Sequence, residues 1–338
     1  MSRIEFIPVA SVAEACRLLK ASPPSGTFLM AGGTDLLVLK RHQLIQPRAI
    51  LYLKRIPGLV GCRPDDGGGL VVGALTTLDE IAKRLEIQRH YPLLAEAARA
   101  VGSPQVRHKA TLCGNICLEP RCWFYNRSPF WRAEYPECRK ASGGRKCYVL
   151  PRSRKGCRAL RSGDTVGPLV ALGARLRLIS TEGARWVEAE DFFLDDGLRH
   201  LALGPGEILT EILLPRPKER GAFLKFRPQN NLDFATFTLS VLLPAEGAGA
   251  RIVVGSVATR PLRARRAEEM LDRGAGDVKA VARTAAQELK IVSFVRGSPE
   301  FKRQAIEASL VRVLGDLSRR PAEKMERPHE PAGLSNPG

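Results

Sequence analysis

The chain has 338 residues, a formal charge of +18 and 44% apolar residues, with a mean hydropathy of −0.13. These values exclude a wholly disordered protein and predict two or three domains, each long enough to bury a core. No apolar run reaches about 18 residues, so no membrane-spanning helix is expected. The opening MSRIEFIPVASVAEACRLL lacks the basic, apolar and cleavage regions of a signal peptide, which predicts a cytoplasmic protein. The basic residues are spread from Arg3 to Arg327 without a helix-turn-helix, zinc-finger or RNA-recognition signature. Nucleic acid is therefore not the expected partner; an acidic protein surface or an anionic small ligand is.

In chain order, residues 12–19 (VAEACRLL) carry apolar side chains at helical spacing behind Ser11, a candidate N-cap. Residues 27–30 read as a short strand that runs into Ala31-Gly32-Gly33-Thr34-Asp35-Leu36. A strand ending in two glycines before a helix start presents backbone N–H groups in a concavity that suits a phosphate. By itself a Gly-Gly pair is an ordinary turn, and the GxGxxG pattern of a Rossmann domain is absent. Residues 48–53 and 69–74 read as strands, Thr77 as a helix cap, and residues 92–100 (PLLAEAARA) as a helix stopped by Val101-Gly102-Ser103-Pro104. A second glycine turn follows at Thr111–Ile116.

Beyond residue 160, residues 168–174 read as a helical turn, and residues 175–179 with Trp186-Val187 as a hairpin. Residues 207–214 alternate as a strand with one face open to solvent. The charged, proline-bearing residues 215–221 are expected to hinge. Strands at 222–226, 234–243 and 251–256, with helices at 262–271, 278–290 and 301–314, predict a further α+β domain. A charged tail from Ser318 to Gly338 is expected to be disordered or draped over a partner.

Six of the eight cysteines fall between Thr111 and Pro168. A disulfide framework scatters cysteines through a small secreted domain, whereas clustering in one segment of a larger chain favours metal ligation. Cys16 and Cys62, outside the cluster, read as core filler. The spacing Cys122-x15-Cys138-x8-Cys147-x9-Cys157 lacks the tight run of a bacterial ferredoxin. Four widely spaced thiolates can still hold a [4Fe–4S] cluster. A zinc site using Cys113-x3-Cys117 or Cys117-x4-Cys122 with a later cysteine also stays open. Basic residues from Arg139 to Arg158, with few acids beside them, would lower thiol pKa values and offset an anionic cluster. Trp123, Phe124, Tyr125, Phe130 and Trp131 would shield it, or form a small local core.

Several stretches together are specific. Ala31-Gly32-Gly33-Thr34-Asp35-Leu36, Val72-Gly73-Ala74, Val101-Gly102-Ser103-Pro104-Gln105-Val106-Arg107 and Thr111-Leu112-Cys113-Gly114-Asn115 resemble the FAD-binding subunits of the molybdenum hydroxylases, the xanthine dehydrogenase and carbon monoxide dehydrogenase medium-chain family. Ser162-Gly163-Asp164, residues 168–174, Glu190-Asp191-Phe192-Phe193 and Gly206-Glu207-Ile208-Leu209 continue the likeness to about Leu314. It implies an α+β fold: a two-part FAD-binding domain of the PCMH/VAO-like type (residues 1–56 and 57–218) and a C-terminal α+β domain (219–317). Residues 117–160 form a cysteine-rich insertion that resembles the one in the beta subunit of 4-hydroxybenzoyl-CoA reductase. That likeness implies a [4Fe–4S] cluster on Cys122, Cys138, Cys147 and Cys157, with Cys113 in place of a customary glycine and Cys117 left over.

For FAD the resemblance implies contacts from Leu29, Met30, Ala31, Gly32, Gly33, Thr34, Asp35 and Leu36 to the pyrophosphate. Val101, Thr111, Gly114 and Asn115 would touch the dinucleotide's other side, Asp164 a ribose or ribityl hydroxyl, and Leu209 and Lys225 the flavin ring. The chain would be an electron-transfer subunit with no catalytic residue for the organic substrate. Its implied partners are a large molybdenum-pterin subunit and a small subunit with two [2Fe–2S] clusters, in a dimer of heterotrimers, and ferredoxin as electron donor to reductive dehydroxylation of 4-hydroxybenzoyl-CoA. The alternatives are a subunit of an oxidative hydroxylase acting on another aromatic or N-heterocyclic compound, and a zinc-stabilised docking scaffold.

Overall fold

The computed structural model describes residues 3–22, 26–153, 156–217, 219–229, 232–244, 249–292 and 297–319. The first subdomain is built from β1 (Glu5–Pro8), α1 (Val12–Ala21), β2 (Thr27–Met30), α2 (Leu36–Arg41) and β3 (Ala49–Tyr52). Ser11 caps α1, accepting from the Glu14 N–H at 3.1 Å. β1 and β2 both pair in parallel with β3, in the order β1-β3-β2. The helix returns needed to keep strands parallel are α1 and α2. Cys16 is fully buried in this unit's core beside Val9, Leu51 and Leu53.

The second subdomain begins with β4 (Cys62–Pro64) and β5 (Leu70–Gly73), then the helices α3 (Leu78–Lys83), α4 (Leu85–His90), α5 (Pro92–Ala100), α6 (Pro104–Arg107) and α7 (Leu112–Ile116). Thr77 and Glu80 form a reciprocal capping box at the start of α3. Among its described residues the insertion carries α8 (Pro129–Ala133) and α9 (Arg139–Ser142). After it come α10 (Val166–Leu172), β6 (Arg175–Ser180), β7 (Gly183–Glu188), α11 (Ala189–Phe192) and β8 (Ile208–Leu214). The five strands form an antiparallel sheet in the order β4-β5-β8-β6-β7.

β8 differs from its sequence reading. It is the central strand, bonded to β5 and β6, and Ile208, Leu209, Thr210, Ile212 and Leu214 are all buried. Its one outward carboxylate, Glu211, is held by Arg63 at 2.7 Å and Arg177 at 2.8 Å, so alternation there marks an ion pair rather than a wet face.

The C-terminal domain is an antiparallel sheet, β9 (Glu219–Phe226), β10 (Phe237–Pro244), β11 (Arg251–Gly255) and β12 (Leu262–Arg263), in the order β12-β11-β10-β9. It is covered by α12 (Arg265–Asp272), α13 (Val278–Glu288) and α14 (Pro299–Arg319). Residues 262–263 were expected to be helical; they pair with Val253 and Val254 instead, and the helix starts after them. Ser318 and Arg319 complete α14, and the rest of the expected tail lies outside the described residues.

The segment expected to hinge is tied down at the residues described; Lys218 lies outside them. The Tyr91 hydroxyl donates to the Pro215 carbonyl at 2.9 Å, and the Phe223 N–H donates to Glu96 at 3.2 Å. The first bond links the N-terminal flank of α5 to the start of that segment, and the second links α5 to β9 itself. No helix of the described residues is long and apolar enough to cross a membrane.

Candidate functional site

One cleft of about 770 Å³ runs between the three units, and all fifteen residues expected to hold a cofactor line it. From the first subdomain come Leu29 and Met30 at the end of β2, then Ala31, Gly32, Gly33, Thr34, Asp35 and Leu36. Gly33 has φ +71°, a left-handed conformation that costs a side-chain-bearing residue about 1 kcal/mol or more. Gly32 is required for a different reason. A Cβ there would stand 1.9 Å from the Lys109 carbonyl oxygen, so the two glycine-bearing segments touch backbone to backbone.

From the second subdomain come Val101, Thr111, Gly114, Asn115 and Asp164. Thr111 caps α7, its hydroxyl accepting from the Gly114 N–H at 3.1 Å. The Leu112 and Cys113 N–H groups bond to the Thr76 and Ala74 carbonyls, at 2.9 and 3.0 Å, which fixes the turn on the sheet. Asn115 Oδ1 accepts from the N–H and hydroxyl of Thr165, at 3.1 and 2.7 Å. Asn115 thus shapes the wall by holding the next segment in place. Leu209 reaches the cleft from β8 and Lys225 from β9.

Lys225 donates to Asp164 at 2.6 Å and to the Ala100 carbonyl at 3.0 Å. Both side chains of the pair are under a tenth exposed. Burial pushes the Asp164 carboxyl up, and Lys225 pulls it back. Two cysteines also line the cleft, one helical turn apart. Cys113 and Cys117 share a hydrogen bond, and the Cys113 thiol also donates to the Leu209 carbonyl at 3.8 Å; the shared bond and burial raise Cys113, whereas the same bond and the nearby Arg161 guanidinium hold Cys117 low.

The sequence reading missed Arg121, Phe234 and His200. Arg121 is ion-paired with Asp35 and lies over the Phe234 ring, 5.5 Å from its centroid. No spacing announces either residue, because they meet only when the insertion folds against the C-terminal domain. His200 lies between Arg161 and Glu119, and burial with the Arg161 charge lowers its pKa to about 4. Its Nδ1 contacts the Leu198 carbonyl at 3.2 Å, and Lys140 adds a further repulsive charge. Unfolded, the ring titrates near 6.5, so the folded state is favoured above that pH and loses the advantage as pH falls towards 4. The expected loss is about 3 kcal/mol. Urea denaturation of His200→Gln against the parent from pH 7 to 4 measures it: the variant's curve should be flatter by that amount.

In the insertion, Cys138, Cys147 and Cys157 are buried and Cys122 half-buried; all four are free. Burial pushes the Cys122 thiol up to about 12, and Cys157 and Cys138 are close enough to add to that. Cys157 in turn responds to Cys147 and Cys138. Among the described residues, however, no three His, Cys, Asp or Glu side chains are gathered tightly enough to hold a metal ion. The aromatic shield also differs from expectation. Phe130 is 83% exposed and Trp123 49%. Phe124 packs instead with Tyr135 and Tyr148, at ring-centroid distances of 4.9 and 5.6 Å. Acids do reach the basic residues: Glu119 pairs with Lys140 and Glu137 with Lys146 inside the insertion, and Asp195 pairs with Arg158 from outside it.

Comparison with known families matches residues 2–217 to the FAD-binding domain in molybdopterin dehydrogenase and residues 222–317 to the carbon monoxide dehydrogenase flavoprotein C-terminal domain. The chain belongs to the FAD-binding subunits of the molybdenum hydroxylase family. Among curated relatives of this flavoprotein subunit, the aldehyde oxidoreductase FAD-binding subunit PaoB of Escherichia coli K12 is 29% identical over 283 residues, 81% of this chain and 88% of that one. The xanthine dehydrogenase FAD-binding subunit of Escherichia coli O157:H7 is 25% identical, over 91% of this chain and 93% of its own. Among solved structures, a carbon monoxide dehydrogenase from Hydrogenophaga pseudoflava that lacks the Mo-pyranopterin moiety of its cofactor superposes with a TM-score of 0.75 at 26% identity, covering 93% of this chain and 96% of that one. The flavoprotein subunit's cleft fits FAD on its own evidence: two glycine turns touch without side chains between them, and the wall beyond is largely apolar.

Proposed function

We propose that this chain is the electron-transfer subunit of a molybdenum-containing oxidoreductase that oxidises its substrate, an aromatic or N-heterocyclic compound, on a partner subunit. The observation that carries the reading is the cleft, in which Gly32 lets the Ala31–Asp35 turn close against the Lys109 backbone and the Asp164–Lys225 pair closes the far wall. Bound FAD supplies the ability to take up electrons in pairs and release them singly. The chain's own residues position it. The backbone at Ala31–Asp35 receives the pyrophosphate, the turn at Thr111–Asn115 forms the opposing wall, Asp164 accepts from a hydroxyl, and Leu209 and Lys225 border the ring. Names of the relatives support the substrate class, since they include a nicotinate dehydrogenase FAD-subunit and a nicotine 6-hydroxylase medium subunit. The partners in this reading are a large molybdenum-pterin subunit and a small subunit with two [2Fe–2S] clusters.

A second reading is favoured by the insertion: a [4Fe–4S] cluster on Cys122, Cys138, Cys147 and Cys157, fed by ferredoxin, in a reductase acting on 4-hydroxybenzoyl-CoA. Cys122 feels the charges of Cys157 and Cys138, and Cys157 those of Cys147 and Cys138. Four thiolates on separate turns of one segment are a ligand set that a four-iron cube accepts.

Anaerobic purification of the whole complex with iron counting and low-temperature EPR tests both readings. A cubane signal beyond those of two [2Fe–2S] centres, lost in Cys138→Ser or Cys147→Ser, is the result expected of the second. Absence of that extra iron, with stoichiometric FAD that substrate reduces, leaves the oxidative reading alone. A complex without FAD overturns both.

A further inference from the structure

A second cavity, of about 340 Å³, lies across Arg121 from the cleft, between the insertion, α2 and the C-terminal domain. Arg121, Arg127, Arg158, Arg161 and Lys302 all contribute to its wall, and among the described residues no carboxylate does. Arg158 and Arg161 are 8% and 2% exposed. Taking a cation that far from water costs several kcal/mol unless an anion compensates. Arg121 and Arg158 find carboxylates outside the cavity, in Asp35 and Asp195. Arg161 has no carboxylate within 4 Å among the described residues; its terminal nitrogens donate to the Leu118 and His200 carbonyls at 2.6 and 3.1 Å.

The leftover donors point the same way. Nε of Arg121, Arg158 and Arg161, Nδ2 of Asn126 and Oγ of Ser162 are buried without a hydrogen-bond partner among the described residues. All five side chains line this cavity. Each buried donor left unmade costs about 1–3 kcal/mol, so five of them on residues around one cavity call for an acceptor. The remaining wall is apolar, with Val38, Leu44, Val149 and the Trp123 ring.

We propose that this cavity binds an organic anion, a phosphate or carboxylate group carried on a compact apolar body. The site is distinct from the flavin cleft, from which Arg121, Ser162 and Phe234 divide it. It is also not where the cysteines gather, because Cys122 is the one cysteine on its wall. The anion is drawn in past Arg127, which stacks 3.4 Å from the Trp123 ring centroid at the partly exposed rim. It then meets Arg158 and Arg161 deeper in the wall. Nothing in this depends on the direction of electron flow proposed above.

The test is calorimetric titration of the FAD-loaded full chain, within its complex, with phenyl phosphate and with benzoate, against sodium chloride at equal ionic strength. Saturable binding of either probe is expected, weakened at least tenfold in Arg158→Gln and in Arg127→Ala at unchanged flavin content. A response to phenyl phosphate alone assigns a phosphate ligand, and a response to benzoate a carboxylate. If Arg158→Gln fails to retain flavin, Arg127→Ala, which alters only the rim, decides. Heats no larger than those of chloride, or binding unchanged in the variants that fold, overturn the proposal.

Discussion

Gly32→Ala is expected to leave a chain that folds poorly and binds FAD at least tenfold more weakly. The added methyl would sit 1.9 Å from the Lys109 carbonyl oxygen and 2.6 Å from its carbon. Relief cannot come from a side chain swinging away, because the obstacle is backbone. That backbone is itself fixed, the Lys109 and Ala110 N–H groups bonding to the Val106 carbonyl and the Ala110 carbonyl accepting from Leu78. Overpacking of this kind costs about 1–3 kcal/mol where neighbours yield, and more where they do not. The turn would have to move off the second subdomain, widening the cleft at the position proposed for the pyrophosphate. The flavin-to-protein absorbance ratio after gel filtration measures the effect. Gly276→Ala is the control, since a Cβ there meets nothing within 4 Å and should leave flavin content unchanged.

Lys225→Met is expected to cost about 3–5 kcal/mol, because it strands Asp164 in a buried site without its cation. The pH dependence identifies the cause. Asp164 already holds its proton more tightly folded than unfolded, through burial. A group raised in this way supports folding fully below its unfolded value, about pH 4, and loses that support as pH rises through the folded value. Without Lys225 the folded value climbs further, so the variant's deficit against the parent should grow between about pH 4 and 7. Combining Lys225→Met with Asp164→Leu should recover most of the stability at pH 7 while flavin content stays low. Guanidinium melts at several pH values, with flavin fluorescence alongside, check each arm. A deficit independent of pH would show that Lys225 acts through packing.

Much of the scaffold is readable because local chemistry and tertiary context agree there. Ser11 and Thr77 each cap the helix they precede, residues 92–100 form a helix over that whole span, and residues 27–30 form a strand. Readings fail where context overrides pattern. Leu262 lies in an apolar, arginine-rich stretch suited to a helix, yet the exposed edge of β11 captures it as β12. Alternation in β8 reflects Glu211 bridging two arginines, not solvent.

The site divides along the same line. The glycine turns are visible because close backbone approach admits almost no other residue. Arg121 and Phe234 are invisible because they are brought together by the fold of the insertion, whose short helices carry no periodicity long enough to read. Trp123, Phe130 and Trp131 stay exposed although large, whereas Tyr125 is buried and Phe124 packs with Tyr135 and Tyr148, so side-chain size alone misleads.

The seam where Tyr91, Glu96, Ala100 and Asp164 grip residues 215–225 has a consequence for electron flow. Tunnelling rates fall steeply with separation, so a relay whose two halves flexed against each other would have its speed set by how often they drew close. Here the strand bearing Lys225 is bonded to the wall bearing Asp164, and both border the flavin cleft. The width of that cleft is therefore a property of the folded chain and not of a slow opening and closing. In the electron-transfer role proposed above, passage of charge through this subunit is expected to be governed by potential and fixed distance and to be unchanged in a more viscous solvent.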